Sequence, residues 1–503
     1  MVLGGLISRA TANFKNTSTP TTWSPADPLP TGFSSRVQPF QLPLSSLGSF
    51  QLRTIGHYST GTVVFQRATA GAAELDEGYD DQVGGKSRQA GIVEIGVEAR
   101  YNSEGLYSEA RVDPMEAHER CGLTVTTPAS TSVSRIGAVL SFHITVTFPA
   151  SFTALDSLVV EATAFRVILD PSLAPVTISN LQLTTTDAPI SLSDISAQHV
   201  TIKNRNVLDP NKTALKNFED LVSGNIVRAE RVEVRCEDGP VSLNAACSGA
   251  LILATTNGNI ASELSGSSLR VTTVNGEVVG KFVAKRDVQI TNTYGKIEVE
   301  VEAPFGCLIG GSNSSIDGKF LVGKELKLIT THFRIDATVR ILAPSSSLSA
   351  QPARPPSPAP SSATDLPPTF EEAVGSSAVA PSTFDARVET TGAAIQLDYV
   401  EQPEGVVVSS FAKSSGGGRI EVVHPGTFEG SFSANTSLTH TATLAVPETF
   451  STATRKRAVH YDTNKRSEVA GSVRFEGGGA DQVGGGRGRT VVEAHGPIEI
   501  KLL

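Results

Sequence analysis

The chain has 503 residues, with 42 basic and 51 acidic side chains and a formal net charge of -9. This length allows roughly two to four domains, and the mild acidity gives no electrostatic signature of a nucleic-acid-binding protein. Charged residues make up 18% and aromatic residues 6% of the chain, whereas glycine is plentiful with 45 copies. Such a composition is typical of β-structure with many tight turns, so we expect a mainly β fold.

The N-terminal region predicts a disordered tail over residues 1–45, because it is rich in Thr, Ser and Pro. Residues 1–15 lack the apolar core of a signal peptide, and no stretch approaches the roughly 18 apolar residues of a membrane span. The four cysteines lack CxxC spacing and are typical of buried thiols in a reducing compartment. We therefore expect an intracellular, cytoplasmic protein.

Alternation of apolar and polar residues begins near Leu47 and predicts a β-rich domain over residues 46–342, with the clearest pattern over 231–342. There, short strand patterns alternate with glycines, as in LILATTNGNIASE and LRVTTVNGEVVGK. The glycines recur at an interval of about 19 residues, and two further places continue the same interval. These six places are Gly239, Gly258, Gly276, Gly295, Ser314 and Phe333. An apolar residue stands two positions after each of them: Val241, Ile260, Val278, Ile297, Ile316 and Ile335.

A period of about 19 residues without helices between the strands predicts a β-solenoid, an array like a parallel β-helix in which each repeat is one coil. One repeat cannot bury its apolar face alone, so repeats stack and place each Val or Ile over its counterpart. A meander of antiparallel hairpins is the alternative, because Asn-Gly is also a strong hairpin-turn signal. Constant spacing favours the solenoid, since hairpins do not require it.

Residues 343–382 contain nine prolines and predict an extended, disordered Pro-rich internal loop or linker. Within it, LPPTFEEAV resembles a Pro-Pro-x-Tyr ligand of WW domains, with Phe in place of Tyr. Pro367, Pro368 and Phe370 are therefore a possible partner-binding site, although a plain linker is the more ordinary interpretation. A β pattern returns over 383–503, which we expect to continue or cap the solenoid, with a separate C-terminal domain as the alternative.

The series TTNGNI, TVNGEV, NTYGKI and AHGPIEI resembles the "putative adhesin" family, a domain of unknown function that includes fungal members. Pro-x-x-Phe segments after strands, as in VTFPASF and VVHPGTF, are similar to those of the fungal members. The resemblance covers roughly Ser141–Leu342 and Ala386–Leu503. It implies a β-solenoid repeat protein and supplies no catalytic residues.

The sequence contains neither an HExxH zinc motif nor a GxSxG nucleophile elbow. His118 with Cys121 is more typical of a surface turn than of half a metal site. The Gly85-Lys86-Ser87 ending of a Gly-rich loop lacks the first glycine of a phosphate-binding loop. We therefore expect no cofactor and no metal.

Three carboxylates could nevertheless share one column of the solenoid. Glu298, Asp317 and Asp336 each stand three positions after a repeat mark. Stacked carboxylates could carry acid–base chemistry, as in carbohydrate-active β-helix enzymes. Like charges about 5 Å apart repel, however, so a solvated outward column is the ordinary explanation.

The sequence favours a non-enzymatic structural or binding protein. Its β-solenoid surface and Pro-rich linker would be presented to an unknown protein or glycan partner, with a WW-type domain possible at the linker. The alternatives are a carbohydrate-active enzyme that uses the carboxylate column and a cell-surface adhesin.

Overall fold

The computed structural model describes residues 29, 31–43, 48–56, 60–69, 92–117, 120–128, 138–205, 220–343, 382–403, 406–446, 451–452, 455–476 and 488–503. Within these ranges the chain is mainly β, as the composition predicts, with 31 strands. Helical structure in the same ranges amounts to α1 (Glu104–Ser108) and a 3₁₀ turn at Pro171–Leu173. None of the described helices has the length and apolar character needed to cross a bilayer.

The chain divides into two compact units. Unit 1 is Met1–Ile226 with Cys236–Gly239, and unit 2 is Val227–Arg235 with Pro240–Leu503. The strands that begin in unit 1 are β1 (Ser34–Pro43), β2 (Ser49–Ile55), β3 (Thr60–Arg67), β4 (Ile92–Tyr101), β5 (Arg111–Ala117), β6 (Arg120–Thr126), β7 (Leu140–Phe148), β8 (Ala154–Thr163), β9 (Phe165–Leu169), β10 (Thr177–Thr186), β11 (Ile190–Arg205) and β12 (Val222–Ala229).

The remaining strands belong wholly or mostly to unit 2. They are β13 (Arg231–Asp238), β14 (Val241–Cys247), β15 (Ala250–Asn257), β16 (Ile260–Asn275), β17 (Val278–Ala303), β18 (Gly306–Val322), β19 (Glu325–Thr330), β20 (Ile335–Ile341), β21 (Ser382–Thr390), β22 (Ile395–Glu401), β23 (Val406–Ser414), β24 (Ile420–His424), β25 (Gly430–Asn435), β26 (Ala442–Ala445), β27 (Ser451–Thr452), β28 (Arg455–Lys465), β29 (Glu468–Glu476), β30 (Gly488–Ala494) and β31 (Ile498–Leu502).

Unit 1 combines antiparallel and parallel pairing. β4 lies between β1 and β7 and is antiparallel to both, and β5 is antiparallel to β6. The pairs β2–β6, β2–β8, β3–β7, β3–β9, β8–β10 and β10–β11 are parallel. The strands therefore change from mixed to parallel pairing along this unit.

Buried phenylalanines form the core of unit 1. Phe50 packs edge-on against Phe65, with ring centroids 5.9 Å apart, and against Phe148 at 6.3 Å. Phe152, from the first Pro-x-x-Phe segment, stacks on Phe148 at 4.9 Å. The Phe152 N–H donates to the carbonyl of Pro149, which closes a turn. The turn therefore brings the ring of Phe152 back onto that of Phe148, the last residue of β7.

Two parallel ladders run through unit 2. In the first ladder Val241 pairs with Ile260, Ile297 with Ile316, and Ile316 with Ile335. In the second ladder Asp287 pairs with Gly306, and Gly306 with Glu325. Each residue therefore pairs with its counterpart in the next repeat, and the period of the sequence pattern equals the spacing of the paired strands.

Both ladders include strands from beyond residue 382. Glu325 pairs with Asp385, and Ile335 with Ile395, although far more than one repeat of chain separates the partners. The first ladder then continues from Ile395 to Ile420 and Ile498. Residues 344–381 lie outside the described ranges, but the strands on their two sides are direct neighbours.

The apolar residues of the repeat form the core of unit 2. Val241, Ile260, Val278, Ile297, Ile316 and Ile335 are all at most 1% exposed. Burial alternates along strands such as β14 and β20, so every second side chain there points outward. The outward positions include all the charged residues of these two strands.

Hydroxyl and amide side chains are buried where one ladder turns into the other. Asn292 Nδ2 donates to the carbonyl of Gly276 at 2.8 Å, and Thr330 Oγ1 donates to that of Ser314 at 2.6 Å. Ser314 Oγ in turn donates to the carbonyl of Asn292 at 3.1 Å. These bonds join successive repeats and supply partners for carbonyls that are away from water.

Gly295 shows why glycine recurs at this corner. Its φ is +123°, and a Cβ there would lie 2.2 Å from the carbonyl oxygen of Gly276. The corner therefore needs glycine both for its backbone angle and for the close approach of the preceding repeat. The equivalent position in the next repeat is Ser314 rather than glycine. Its side chain is buried, and its hydroxyl donates to the carbonyl of Asn292.

Candidate functional site: the acidic column

The structure places the three predicted carboxylates in adjacent strands of the first ladder. Glu298 pairs with Asp317, and Asp317 pairs with Asp336. The same column continues with residues that come later in the chain. We define the acidic column as Glu298, Asp317, Asp336, Gln396, Glu421 and Glu499, each paired in register with the next.

The acidic column faces outward because of the alternation of the strand. Ile297, Ile316 and Ile335 precede its first three members and are buried. The side chains of Glu298 and Asp317 are each 55% exposed, and that of Asp336 is 34% exposed. These carboxylates are therefore hydrated and lie on an open surface.

Lys296 forms ion pairs with two acids of the column. Its Nζ lies 2.5 Å from Glu298 Oε2 and 3.9 Å from Asp317 Oδ2. The hydrogen bond to Glu298 is the main cause that raises the pKa of Lys296, and the charges of Glu298 and Asp317 add to it. One ammonium group therefore offsets the repulsion between two neighbouring carboxylates.

Arg334 contacts the next two residues of the column, Asp336 and Gln396. Its guanidinium binds the Asp336 carboxylate, and its Nη2 donates to Gln396 Oε1 at 3.0 Å. Arg334 stands two positions before Asp336, as Lys296 stands two positions before Glu298. An amide at position 396 also removes one charge from the column.

The last two acids share two cations. Arg419 lies 3.2 Å from Glu421 and 2.5 Å from Glu499, measured from Nη2. Lys501 Nζ lies 2.5 Å from Glu421 and 3.8 Å from Glu499. A hydrogen bond to Glu421 is the main cause that raises the pKa of Lys501. Every acid of the column therefore has a basic partner.

This arrangement is a ladder of ion pairs on the outward side of the strands. The exposure of its acids falls along the chain, from 55% for the side chains of Glu298 and Asp317 to 19% for Glu421 and 26% for Glu499. Two recesses of about 260 and 280 Å³ have other linings, around Thr163 and around Ser414. Neither lining includes a residue of the acidic column.

The other sequence-predicted sites fall elsewhere. Pro367, Pro368 and Phe370 lie outside the described residues, as do His118 and the Gly85-Lys86-Ser87 loop. Among the described residues, no group of three or more His, Cys, Asp or Glu side chains could hold a metal ion.

The sequence interpretation missed the basic partners and the later members of the column. A sequence signal for both exists. Lys-Ile-Glu, Arg-Ile-Asp and Arg-Ile-Glu occur at 296–298, 334–336 and 419–421, each centred on a buried Ile. A cation two positions before an acid lies on the same strand face, so this spacing predicts a paired rather than a free carboxylate.

Comparison with known proteins adds little to the assignment. No protein-family model matches the chain, and a search of curated proteins finds no match. A fungal-type membership of the adhesin family therefore has no family-model support. A solved structure described as a "putative cell adhesion protein" from Clostridium sporogenes ATCC 15579 is similar over 93% of this chain and 100% of that chain. Its sequence identity is 6% and its TM-score 0.16, too low to carry an argument about fold or function.

Proposed function

We propose that this chain is a non-enzymatic binding protein that presents the surface of a β-solenoid to a macromolecular partner. The observation that carries the proposal is the pairing of every acid in the acidic column with a cation. An outward column of this kind stabilises stacked repeats and leaves the surface available for contacts. The Pro-rich segment over 343–382 is proposed as a second contact site.

Strand pairing supports the solenoid part of the proposal. Neighbouring strands of both ladders are parallel, and over the central repeats each strand pairs with its counterpart in the next repeat. Hairpins would give antiparallel neighbours. Stacked repeats of this kind form long regular surfaces, which repeat proteins commonly use for binding.

A hydrolysis assay tests the non-enzymatic part of the proposal. Wild-type protein and Asp317→Asn are incubated with a panel of polysaccharides, and new reducing ends are measured. Asp287→Asn is the matched control, because Asp287 is likewise exposed and ion-paired but lies in the second ladder, outside the acidic column. We expect no hydrolysis by any variant. Hydrolysis by wild type and Asp287→Asn, but not by Asp317→Asn, would establish the carbohydrate-active enzyme instead.

A peptide titration tests the linker. A peptide covering residues 366–374 is titrated into isolated WW domains, together with a Phe370→Tyr version and a Pro368→Ala version. We expect measurable binding that Phe370→Tyr strengthens, because a hydroxyl can then form a hydrogen bond, and that Pro368→Ala abolishes. Equal binding of all three peptides, or none, would remove the linker from the proposal.

A further inference from the structure

A second surface of unit 2 runs along the corner between the two ladders. We define the corner ridge as Asn257, Asn275, Tyr294, Asn313 and Phe333. Asn257 pairs with Asn275, Asn275 with Tyr294, and Tyr294 with Asn313. Phe333 lies in the next repeat. Counting back from the pair Ile316–Ile335, it takes the place of Ser314, and the exposed His332 takes that of Asn313, so Phe333 flanks the column one residue further along the chain.

The corner ridge exposes two aromatic rings. Tyr294 is 51% exposed and Phe333 is 47% exposed. Their positions are two repeats apart, which corresponds to about 10 Å along the stacking direction. Two exposed rings along one corner offer contact area to the flat apolar faces of a ligand.

Amide side chains accompany the rings. Asn275 Nδ2 donates to Asn257 Oδ1 at 2.6 Å, and both residues are exposed. An amide has two N–H donors and an oxygen acceptor, so Asn275 keeps one donor and its oxygen for a ligand. The corner ridge thus combines two aromatic rings with three amide side chains, none of which carries a charge.

The backbone beneath the corner ridge is held in place. Buried Thr273, Asn292 and Thr330 donate to the carbonyls of Gly258, Gly276 and Ser314, in three of four successive repeats. A surface fixed before binding loses little conformational freedom when a ligand arrives. The corner ridge is therefore preorganised.

We propose that the corner ridge binds a neutral, linear polysaccharide. A sugar ring offers an apolar C–H face, which an aromatic ring covers, and hydroxyl edges, which amides donate to and accept from. A repeating chain matches a repeating surface, and an uncharged ligand matches a ridge of uncharged side chains. This inference rests on the proposed binding function and names one class of ligand for it.

Calorimetric titration of the full chain tests the proposal. The probes are cellohexaose, laminarihexaose and chitohexaose, and the variants are Tyr294→Ala, Phe333→Ala and Tyr294→Phe. We expect wild type to bind at least one probe, and each Ala variant to bind it about tenfold more weakly, as loss of one ring contact implies. Tyr294→Phe keeps the ring and should stay within about threefold of wild type.

Phe305→Ala is the matched control, because Phe305 is an exposed aromatic of the same repeats, 40% exposed, that lies outside the corner ridge. It should bind like wild type, and circular dichroism should show every variant folded. If wild type binds a probe and the ridge variants bind equally well, the ridge proposal is overturned while the binding function stands. If wild type binds no probe, the polysaccharide proposal is overturned, and the WW titration tests the binding function independently. If the ridge variants instead lose a protein partner, the ligand class is overturned.

Discussion

The imidazole of His424 lies parallel to the phenol ring of Tyr399, with ring centroids 5.1 Å apart and planes inclined by 2°. Phe428, from the second Pro-x-x-Phe segment, stacks on the same imidazole at 4.1 Å. His424 Nε2 lies 2.9 Å from Thr490 Oγ1, and both residues are at most 1% exposed. In unit 1 Phe148 occupies the equivalent place before Pro149 and stacks on Phe152. In a Pro-x-x-Phe segment, the residue before Pro can therefore be either His or Phe, and the Phe of the segment stacks on its ring.

This equivalence predicts the effects of substituting His424. His424→Ala should lower the free energy of unfolding by about 3 kcal/mol, as for other buried rings. His424→Phe should cost about 1–2 kcal/mol, because the ring stack remains while the buried Thr490 hydroxyl loses its partner. Guanidinium denaturation measures both values. Adding Thr490→Val to His424→Phe should recover part of the loss, and a further loss would contradict this account.

The buried face of the first ladder gives a second prediction. Ile316 is 1% exposed, and its neighbours in the ladder, Ile297 and Ile335, are fully buried. Ile316→Asp should destabilise unit 2 by several kcal/mol, since an unpaired buried charge is costly. The measurement is the unfolding midpoint by circular dichroism. Asp317→Asn is the control, because Asp317 points outward. Equal midpoints for Ile316→Asp and wild type would show that Ile316 does not face the core.

The corner hydrogen bonds give a third prediction. Asn292 is fully buried, and its Oδ1 has no hydrogen-bond partner among the described atoms. Asn292→Ala should cost about 1–3 kcal/mol, because the Gly276 carbonyl loses its donor. Asn292→Thr should stay within about 1 kcal/mol of wild type, since Thr273 makes the same kind of bond one repeat earlier. Urea denaturation separates the two variants. Equal losses would show that the side-chain volume matters and not the hydrogen bond.

A charged cluster in unit 1 gives a prediction about pH. Glu98 accepts hydrogen bonds from Arg100 Nε at 2.7 Å and from Ser35 Oγ at 2.9 Å. Burial raises the pKa of Glu98, but these bonds outweigh it and lower the pKa overall. His143 pairs with Glu98 across β4 and β7 and with Thr62 across β3 and β7. Burial lowers the pKa of His143, Arg100 adds to this, and Glu98 opposes it.

The sign follows from proton binding. Because the His143 pKa is lower in the folded protein than in the unfolded chain, the unfolded chain binds more protons between the two values. Stability should therefore rise with pH through the window from the lowered pKa up to about 6.5. His143→Gln should flatten this rise. Melting temperatures by calorimetry between pH 5 and 7.5 measure it. The same slope in wild type and His143→Gln would show that His143 does not contribute.

The mainly β class and the central pairing register could be predicted from the sequence because the repeat is regular there. A constant period determines which residues are neighbours, and so Glu298, Asp317 and Asp336 fall in one column. The period is lost after Ile335. Ile335 pairs with Ile395, and Ile395 pairs with Ile420. The numbers of residues between these partners differ from the period and from one another. Periodicity does not extend across such intervals, so Glu421 and Glu499 were not predicted.

The ion pairs of the acidic column depend on side-chain contacts that the period of the sequence does not predict. The period places three like charges together, but only the geometry shows that Lys296 lies between Glu298 and Asp317. The antiparallel strands β1, β4 and β5 of unit 1 belong to no repeat, so their pairing was equally out of reach. The Pro-x-x-Phe segments are visible in the sequence, whereas their role in closing a ring stack required the structure.

The direct pairing of β19 with β21 and of β20 with β22 has a practical consequence. The strands before residue 343 and after residue 382 adjoin each other whatever the length of chain that joins them. Doubling the length of a flexible connection costs only about 0.6 kcal/mol in loop-closure entropy. The interval between Ala343 and Ser382 is therefore a natural insertion point. A fluorescent protein, a protease cleavage site or an epitope tag placed there should report on the protein without disturbing either ladder.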